Sequence, residues 1–262
     1  MIFHRLGTRS ARHDIATIPA VLKSDWIKLS SVRSNLAILA INVGAGFLVA
    51  WAVATLVTDE VLFVAEVGLY WSVVTAVLAA IAGILLFTSE AQHGTLATAL
   101  AAQPAGWVIT LSKTVTAAAL GLLLGATGIA AGFGGAMISD IGAGDTSEIA
   151  GTTMWVLLFT TMAAVMGVGG GMIVRHSAGA VAGLLVWGFV IENLLNVFLP
   201  EKIARFLPFL ASNRLLEIDS DLDSAAAIAV ALSRTQNAIV FGGYAIVALA
   251  IGAVSLHRRE IS

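Results

Sequence analysis

Residues 67–87 read VGLYWSVVTAVLAAIAGILLF, a continuous apolar run without a charged side chain. An α-helix rises about 1.5 Å per residue, so a run of this length can cross the ~30 Å hydrocarbon core of a bilayer. The run lacks the short alternation of apolar and polar residues that is typical of a membrane β-barrel strand. The stretch therefore predicts a transmembrane α-helix.

Further apolar runs of similar length lie on both sides of this one. The chain is 58% hydrophobic and only 11% charged, with a mean hydropathy of +0.94, whereas a soluble domain has about 25% charged residues. The pattern predicts an all-α polytopic membrane protein, with a six-helix transmembrane domain at 35–257 and a short tail at 258–262. The other five predicted spans are 36–57, 114–138, 151–174, 178–199 and 238–256.

Lysine and arginine are distributed unevenly between the predicted loops. Ten of the fourteen lie before the first span, in the second and fourth loops and after the last span. The other four lie in the long loop 200–237, and the two short loops on that side carry only acidic charges. Because basic residues are enriched on the cytoplasmic side, we predict that both termini are cytoplasmic and that 200–237 is extracytoplasmic.

The N-terminal cytoplasmic segment, 1–34, contains an amphipathic stretch. In TIPAVLKSDWIKLSSVRS (17–34), apolar residues recur at three- and four-residue spacing, and basic residues lie on the other flanks. This predicts an interfacial (elbow) helix, which is either a plain juxtamembrane anchor or also a contact for a cytoplasmic partner. We expect four residues to anchor it at the lipid headgroups: Lys23, Trp26, Lys28 and Arg33.

The second cytoplasmic loop, TSEAQHGTLATALAAQPAGWVITLSK (88–113), is too polar to span a membrane. Thr95 is suited to be an N-cap, and Pro104 would end a helix of about two turns. A helix this short is marginal on its own, and Leu96 and Leu100 share one of its faces. We therefore expect another surface to cover it, either the membrane interface or a groove on a cytoplasmic protein.

Glycines recur at helical spacing in three of the predicted spans. The bare helix faces that they create allow backbones to approach closely in lipid. We favour packing within the chain over a seam between two chains. The glycines are Gly121, Gly125, Gly128, Gly132 and Gly135 in the third span, Gly167 and Gly171 in the fourth, and Gly179 and Gly183 in the fifth.

The fifth span carries an ionisable residue, Glu192, close to its outer end. Such a residue within a membrane usually faces a cavity or a partner, so we take Glu192, Asn193 and Asn196 as candidates for a substrate path. Alternatively, the helix breaks early and Glu192 lies near the interface. Aromatic residues and leucines in 201–216 favour this second interpretation, because they suggest a segment that dips into the outer leaflet. Both interpretations stay open on the sequence alone.

The sequence predicts no catalytic, cofactor or metal site. There is no cysteine, the five histidines are scattered, and no G-x-x-x-x-G-K-[ST] phosphate loop occurs. Asp219, Asp221 and Asp223 are spaced as in a calcium loop, but Ser224 and Val230 replace the glycine and the glutamate that such a loop requires. We expect a non-enzymatic chain, so any use of ATP would occur on another subunit.

Two motifs resemble those of ABC-2 type permeases, the membrane subunits of a large group of ATP-binding cassette exporters. LKSDWIKLSSVRSN (22–35) resembles the basic segment that precedes the first span in many bacterial members. E-x-x-x-G-T-L-x-x-x-L-x-x-x-P, at 90–104, resembles their cytoplasmic coupling loop. The six-span layout with both termini inside and a long outer segment is also similar.

This resemblance implies a coupling helix that sits on a separate ATPase subunit, which would hold ATP and magnesium. It implies a second permease chain, identical or paralogous, in a bacterial cytoplasmic membrane, and no nucleic-acid partner. The substrate would be an amphiphilic or hydrophobic molecule moved outward, such as a drug, an antimicrobial peptide or a lipid-like compound. The implied coupling residues are Glu90, Gly94, Thr95, Leu96, Leu100 and Pro104.

Two functions from other classes remain open on the sequence. The chain could be a proton- or ion-coupled carrier or channel in which Glu192 titrates, although we see no inverted repeat of the kind that carriers often have. It could also be a non-transporting membrane scaffold or immunity protein that sequesters a ligand. Transport by the purified chain alone would favour the first, and ligand protection without an ATPase would favour the second.

Overall fold

A computed structural model of the chain describes residues 15–28, 33–58, 61–102, 105–147, 149–216 and 228–259. Within these ranges the backbone is helical, with no β-strand and one isolated bridge between Phe63 and Gly142. The helices are α1 (15–28), α2 (Arg33–Leu56), α3 (Val64–Val67), α4 (Ser72–Gln92), α5 (Thr95–Ala102), α6 (Gly106–Ala136), α7 (Ile149–Val174), α8 (Ser177–Val186), α9 (Glu192–Phe198), α10 (Glu201–Ala204), α11 (Pro208–Leu215) and α12 (Arg234–Arg259).

Six stretches of helix in the described residues are long and apolar enough to cross a membrane, which confirms the predicted all-α, six-span fold. An even number of crossings would place the two ends of the bundle on the same side of a membrane. We call these stretches spans one to six: Arg33–Leu56, Val64–Gln92, Gly106–Ala136, Ile149–Val174, Ser177–Phe198 and Arg234–Leu256.

The polar loop predicted at 88–113 is shorter in the structure. Residues 88–92 complete α4, and residues 106–113 form the first two turns of α6. Polar side chains at these ends find partners inside the protein; for example, the Thr88 and Ser177 hydroxyls lie 2.8 Å apart. The connection between spans two and three is therefore a tight turn followed by the short helix α5.

Glycines bring the central spans into backbone contact. A Cβ on Gly132 would collide with the Gly68 carbonyl, and one on Gly135 would collide with the Phe47 carbonyl. Gly167 lies in the same way against the Ala80 carbonyl, so the predicted packing within the chain is confirmed for spans three and four. For Gly183 in span five the prediction is wrong, because no other helix of the described part of the chain comes within 4 Å of where its Cβ would be.

A buried asparagine joins the first three spans. Asn42 of α2 donates through Nδ2 to the Leu124 carbonyl of α6 at 2.9 Å. Its Oδ1 accepts from the Trp71 indole at 3.1 Å and from the Thr75 hydroxyl at 2.8 Å. Asn42 is fully buried, so these bonds satisfy a polar group that would otherwise be costly in an apolar setting.

Burial is concentrated in spans two to four. About half of the most apolar part of each is buried (50% and 56% for spans two and three), whereas the corresponding value for span five is 6%. Spans one, five and six thus present large apolar surfaces outward, as expected for a multi-pass membrane protein in contact with lipid or with other chains.

After span five the chain returns to the bundle through α10 and α11. Ala211 and Leu216 are buried, and Leu216 belongs to an apolar cluster with Phe159 of α7 and Phe241 of α12. The residues that resembled a calcium loop, Asp219, Asp221 and Asp223, lie outside the described part of the chain.

Candidate functional site

The turn between α4 and α5 explains the glycine of the loop motif. His93 donates its backbone N–H to the Ser89 carbonyl at 3.1 Å and ends α4. Gly94 comes next with φ of +74°, the left-handed conformation that favours glycine at a helix C-terminus. Helix α5 then begins at once with Thr95, whose hydroxyl donates to the Glu90 carbonyl at 3.3 Å. Thr95 is thus the first residue of α5 and ties it to α4, whereas the sequence predicts it as the N-cap that precedes the helix.

Leu96 points into the protein and not toward another one. Its side chain is only 8% exposed and belongs to the same buried apolar cluster as Leu86, Ala117 and Leu256. The expectation that the membrane interface or a partner covers this residue is therefore wrong: the chain's own spans cover it, because α5 folds back against them. The side chain of Leu100 and the whole of Pro104 lie outside what the structure describes.

The outward face of the turn and of α5 is polar and made of small residues. Thr98 is exposed, like Ala101 one turn further on. Any protein that binds here meets hydroxyls, an imidazole and backbone. The other exposed residues of this face are His93, Gly94 and Thr95.

An ion cluster lies directly behind this turn. Lys113 of α6 is 2% exposed, and its Nζ lies 2.7 Å from Asp25 Oδ1 and 2.7 Å from Glu90 Oε1. Lys28 of α1 places its Nζ 2.8 Å from the same Glu90 oxygen. The Ser112 hydroxyl donates to Asp25 Oδ2 at 2.6 Å. We call these five residues the ion cluster.

The ion cluster contains two carboxylates and two ammonium groups, so its formal charge is zero. Buried charges are tolerated when they are paired and hydrogen-bonded. Asp25 and Lys113 are both almost completely buried, so each depends on the other. Since every charged group faces an opposite charge, the arrangement is suited to holding elements together, and we see no acid–base chemistry in it.

The cluster connects parts of the chain that are far apart in sequence. Asp25 and Lys28 come from the interfacial helix α1, Glu90 from the end of span two, and Ser112 and Lys113 from span three. Because Glu90 also accepts the Thr95 hydroxyl through its carbonyl, α5 is linked to the same point.

The predicted headgroup anchors divide into two groups. Trp26 is 54% exposed, and Lys23 and Arg33 are also exposed, so these three can reach a lipid surface. The Lys28 side chain is 45% exposed but directs its ammonium to Glu90, so it serves the ion cluster as well. On the sequence alone, Lys28 is predicted only as a headgroup anchor.

The predicted site residues do not include Asp25, Ser112 or Lys113; Lys113 is noted on the sequence only as the residue that follows the loop motif, without a partner. The signal was present, because Asp25 follows Val21 by four residues and Leu22 by three, which puts it on the apolar stripe of α1. Lys113 likewise interrupts the apolar start of α6. A carboxylate and a lysine in apolar settings indicate a buried pair.

Two open cavities border Glu90 and Lys28. One, of about 510 Å³, separates α1 from α5 and is lined by Thr17 and Ser24 of α1 and by Thr98 and Ala99 of α5, among others. The other, of about 320 Å³, is lined in part by Asn35, Leu85 and His93. Polar contacts at the ion cluster therefore bridge α1 and the turn beside these two cavities.

The three candidate substrate-path residues do not form one cluster. Glu192 is 3% exposed and accepts the backbone N–H of Leu210 at 2.6 Å through Oε1. Asn193 is exposed and donates to the Phe189 carbonyl of its own helix at 2.9 Å, and Asn196 is also exposed. Glu192 thus faces α11, while both asparagines face outward from the chain.

Comparison with family models and with the sequences of curated proteins finds no match for this chain.

Proposed function

We propose that this chain is the permease subunit of an ATP-driven exporter of the ABC-2 type, in a bacterial cytoplasmic membrane. It pairs with a separate ATPase subunit and with a second permease chain. The complex moves an amphiphilic or hydrophobic molecule outward. ATP and magnesium bind to the ATPase subunit and not to this chain.

The ion cluster is the observation that carries the proposal. The resemblance to ABC-2 permeases rests on two separate stretches, one before the first span and one after the second. Asp25 and Lys28 belong to the first stretch, Glu90 to the second, and Lys113 pairs with both carboxylates. A permease that receives force at its cytoplasmic turn needs such a junction, because α1 and two spans must move together.

The mechanism depends on the attachments of the turn. The ATPase subunit binds the exposed face that includes His93, Thr95 and Thr98. When ATP closes the ATPase, the push on α5 passes through Leu96 to the packed spans and through Glu90 to Lys113. The close glycine contacts between spans transmit the motion with little loss, and the space between the two permease chains changes its access.

This mechanism assigns the coupling residues differently from the sequence prediction. Glu90 and Leu96 transmit force inside the chain, since both are buried. Gly94 shapes the turn, and the contact with the ATPase is made by the polar residues of the exposed face. The coupling roles predicted for Leu100 and Pro104 stay predictions.

Isolation of the tagged chain from its native membrane tests the proposal. We expect an ATPase subunit with a phosphate-binding loop to co-purify. Reconstituted together, the two subunits should move an amphiphile only when ATP is hydrolysed. Transport by this chain alone, driven by a pH gradient, would instead make it a secondary carrier.

Cysteine labelling tests the orientation and the contact in the same material. The chain has no native cysteine, so Thr98→Cys provides a single thiol on the exposed face of α5, and Ser147→Cys provides one on the opposite side. We expect a membrane-impermeant maleimide to reach Ser147→Cys from outside and Thr98→Cys only from the cytoplasm. The bound ATPase should protect Thr98→Cys. Labelling of Thr98→Cys from outside the cell contradicts the proposal.

A further inference from the structure

Helix α11 lies over a crevice between four spans on the side opposite the ion cluster. Its Phe209 and Ser212 face the crevice, which contains a small space of about 20 Å³. The other walls come from spans two, four, five and six: Val73, Ala76, Val77, Ala80, Phe159, Ala163, Met166, Leu184 and Phe241.

The crevice is apolar throughout. Ser212 has the only hydroxyl among its lining residues, and that hydroxyl already donates to the Phe209 carbonyl at 2.6 Å. A small apolar cavity holds no stable water, because a water molecule needs two or more polar partners. A ligand that entered this crevice would therefore present an aliphatic chain or an aromatic ring.

One carboxylate holds the start of α11. Pro208 opens the helix without a backbone N–H, so the amides of Phe209 and Leu210 are the first that need an acceptor. Glu192 Oε1 accepts the Leu210 amide at 2.6 Å, and the Phe209 amide and the Trp187 indole lie near the same carboxylate. Glu192 thus acts as an N-cap supplied by a different helix.

The backbone of span five is adapted to this contact. Residues Trp187–Ile191 form a π-helical turn directly before Glu192. A π turn contains one residue more than an α turn and rotates the rest of the helix by about 100°. Within the same turn, Gly188 leaves room for the Phe209 ring, which a Cβ would meet at 2.7 Å.

The docked position of α11 depends on this carboxylate. Glu192 is 3% exposed, and burial of a charged group is costly unless hydrogen bonds compensate for it. The Leu210 amide provides such a bond at 2.6 Å, so α11 and Glu192 stabilise each other only while the helix is docked.

We propose that α11 is a movable outer cover of this crevice, which binds an aliphatic or aromatic group, and that Glu192 is the positioning residue that holds the cover closed. Of the crevice walls, α11 is the short one: it has eight residues, whereas the others are spans. It can leave without unfolding a span. The proposal does not depend on an ATPase partner.

Thiol accessibility tests the cover. Ala163→Cys places a reporter in the crevice, and Ala117→Cys places a matched reporter in the core away from α11; both alanines are buried. Each is labelled with N-ethylmaleimide in the wild-type background and with Glu192→Leu or Glu192→Gln. Glutamine keeps a carbonyl acceptor for the Leu210 amide, and leucine does not.

We expect Glu192→Leu to raise the labelling rate of Ala163→Cys by about tenfold or more, as for the loss of a hydrogen bond to a charged group. Ala117→Cys should be unchanged, and Glu192→Gln should stay near the wild-type rate. In the opened Glu192→Leu protein, 1-aminoanthracene should slow labelling of Ala163→Cys. The proposal is overturned if Ala163→Cys stays protected, if both reporters respond equally, if glutamine behaves like leucine, or if the probe has no effect.

Hydrogen exchange of the unmodified protein is a second test that needs no variant. If α11 opens locally, its amides exchange faster than those in the core of span four. We expect the peptide that covers 208–216 to exchange at least about tenfold faster than the one that covers 156–172. Equal protection of the two peptides would show that α11 does not open as a unit.

Discussion

Replacement of Lys113 by methionine removes the charge that the two carboxylates of the ion cluster share. Glu90 keeps Lys28 as a partner, but among the described residues Asp25 keeps only the Ser112 hydroxyl. Removal of one partner from a buried ion pair costs about 3–5 kcal/mol, because the other charge stays buried and unpaired. Asp25 is the residue that bears this cost in the Lys113→Met variant.

The location of Asp25 limits how the protein responds. Asp25 lies on α1, which can leave the bundle and return the carboxylate to water while the spans stay folded. The loss should therefore appear as undocking of α1 and not as global unfolding. A change of about 3 kcal/mol corresponds to a roughly 150-fold increase in the undocked population.

Limited trypsin digestion measures this population, since α1 contains Lys23 and Lys28. We expect cleavage within 15–28 to accelerate by at least about tenfold in Lys113→Met, with little change in the thermal midpoint. The matched control is Lys202→Met, at an exposed lysine of α10. The added substitution Asp25→Asn should return the rate of Lys113→Met toward that of wild type. Cleavage that is unchanged in Lys113→Met, or not rescued by Asp25→Asn, refutes this account of the ion cluster.

Three further predictions concern the turn and the core. Gly94→Ala should lower the free energy of thermal unfolding by about 1–2 kcal/mol, because Gly94 has a positive φ. Gly183→Ala is the control: space there is open, so the substitution should be neutral or stabilising. Equal effects of the two substitutions would contradict the geometry of the turn. Asn42→Leu leaves buried donors without an acceptor and should destabilise the protein by about 2–4 kcal/mol in urea or heat denaturation; an unchanged midpoint would mean that water replaces the side chain. Leu96→Asp should lower the free energy of unfolding of the isolated chain by about 3 kcal/mol or more. Thr98→Asp should leave that stability unchanged and weaken co-purification of the ATPase. If Leu96→Asp instead weakens co-purification without loss of stability, Leu96 belongs to the docking surface.

The spans could be predicted from the sequence because the signal for each is local. A run of about 20 apolar residues spans a bilayer whatever surrounds it. The ends of spans two and three could not be predicted in this way. Thr88 and Glu90 look like loop residues because they are polar, but they extend α4 since Ser177 and Lys113 provide partners. Those partners are remote in sequence, and hydropathy contains no information about them.

The same distinction between local and long-range information applies to the candidate site. Gly94 could be predicted to form a turn, because its role depends on the backbone at one position. The burial of Leu96 could not be predicted, since periodicity identifies an apolar face without identifying what covers it. The pairing of Asp25 with Lys113 is harder still. The two are 88 residues apart, and either could have paired with another charge on the same side of the membrane.

The ion cluster is better explained by the need for a defined geometry than by stability. Apolar residues of similar volume would often hold buried helices together equally well, because burial of charges costs about as much as their attraction returns. Apolar packing, however, tolerates sliding of one helix along another, whereas an ammonium that bridges two carboxylates at 2.7 Å fits in one register only. Cavities of about 510 and 320 Å³ border the junction between α1 and the α4–α5 turn, and the ion pairs bridge the two elements there, so they help to set this register. With such a junction, α1 and spans two and three keep their mutual positions when the turn moves. The proposed transmission of force requires this.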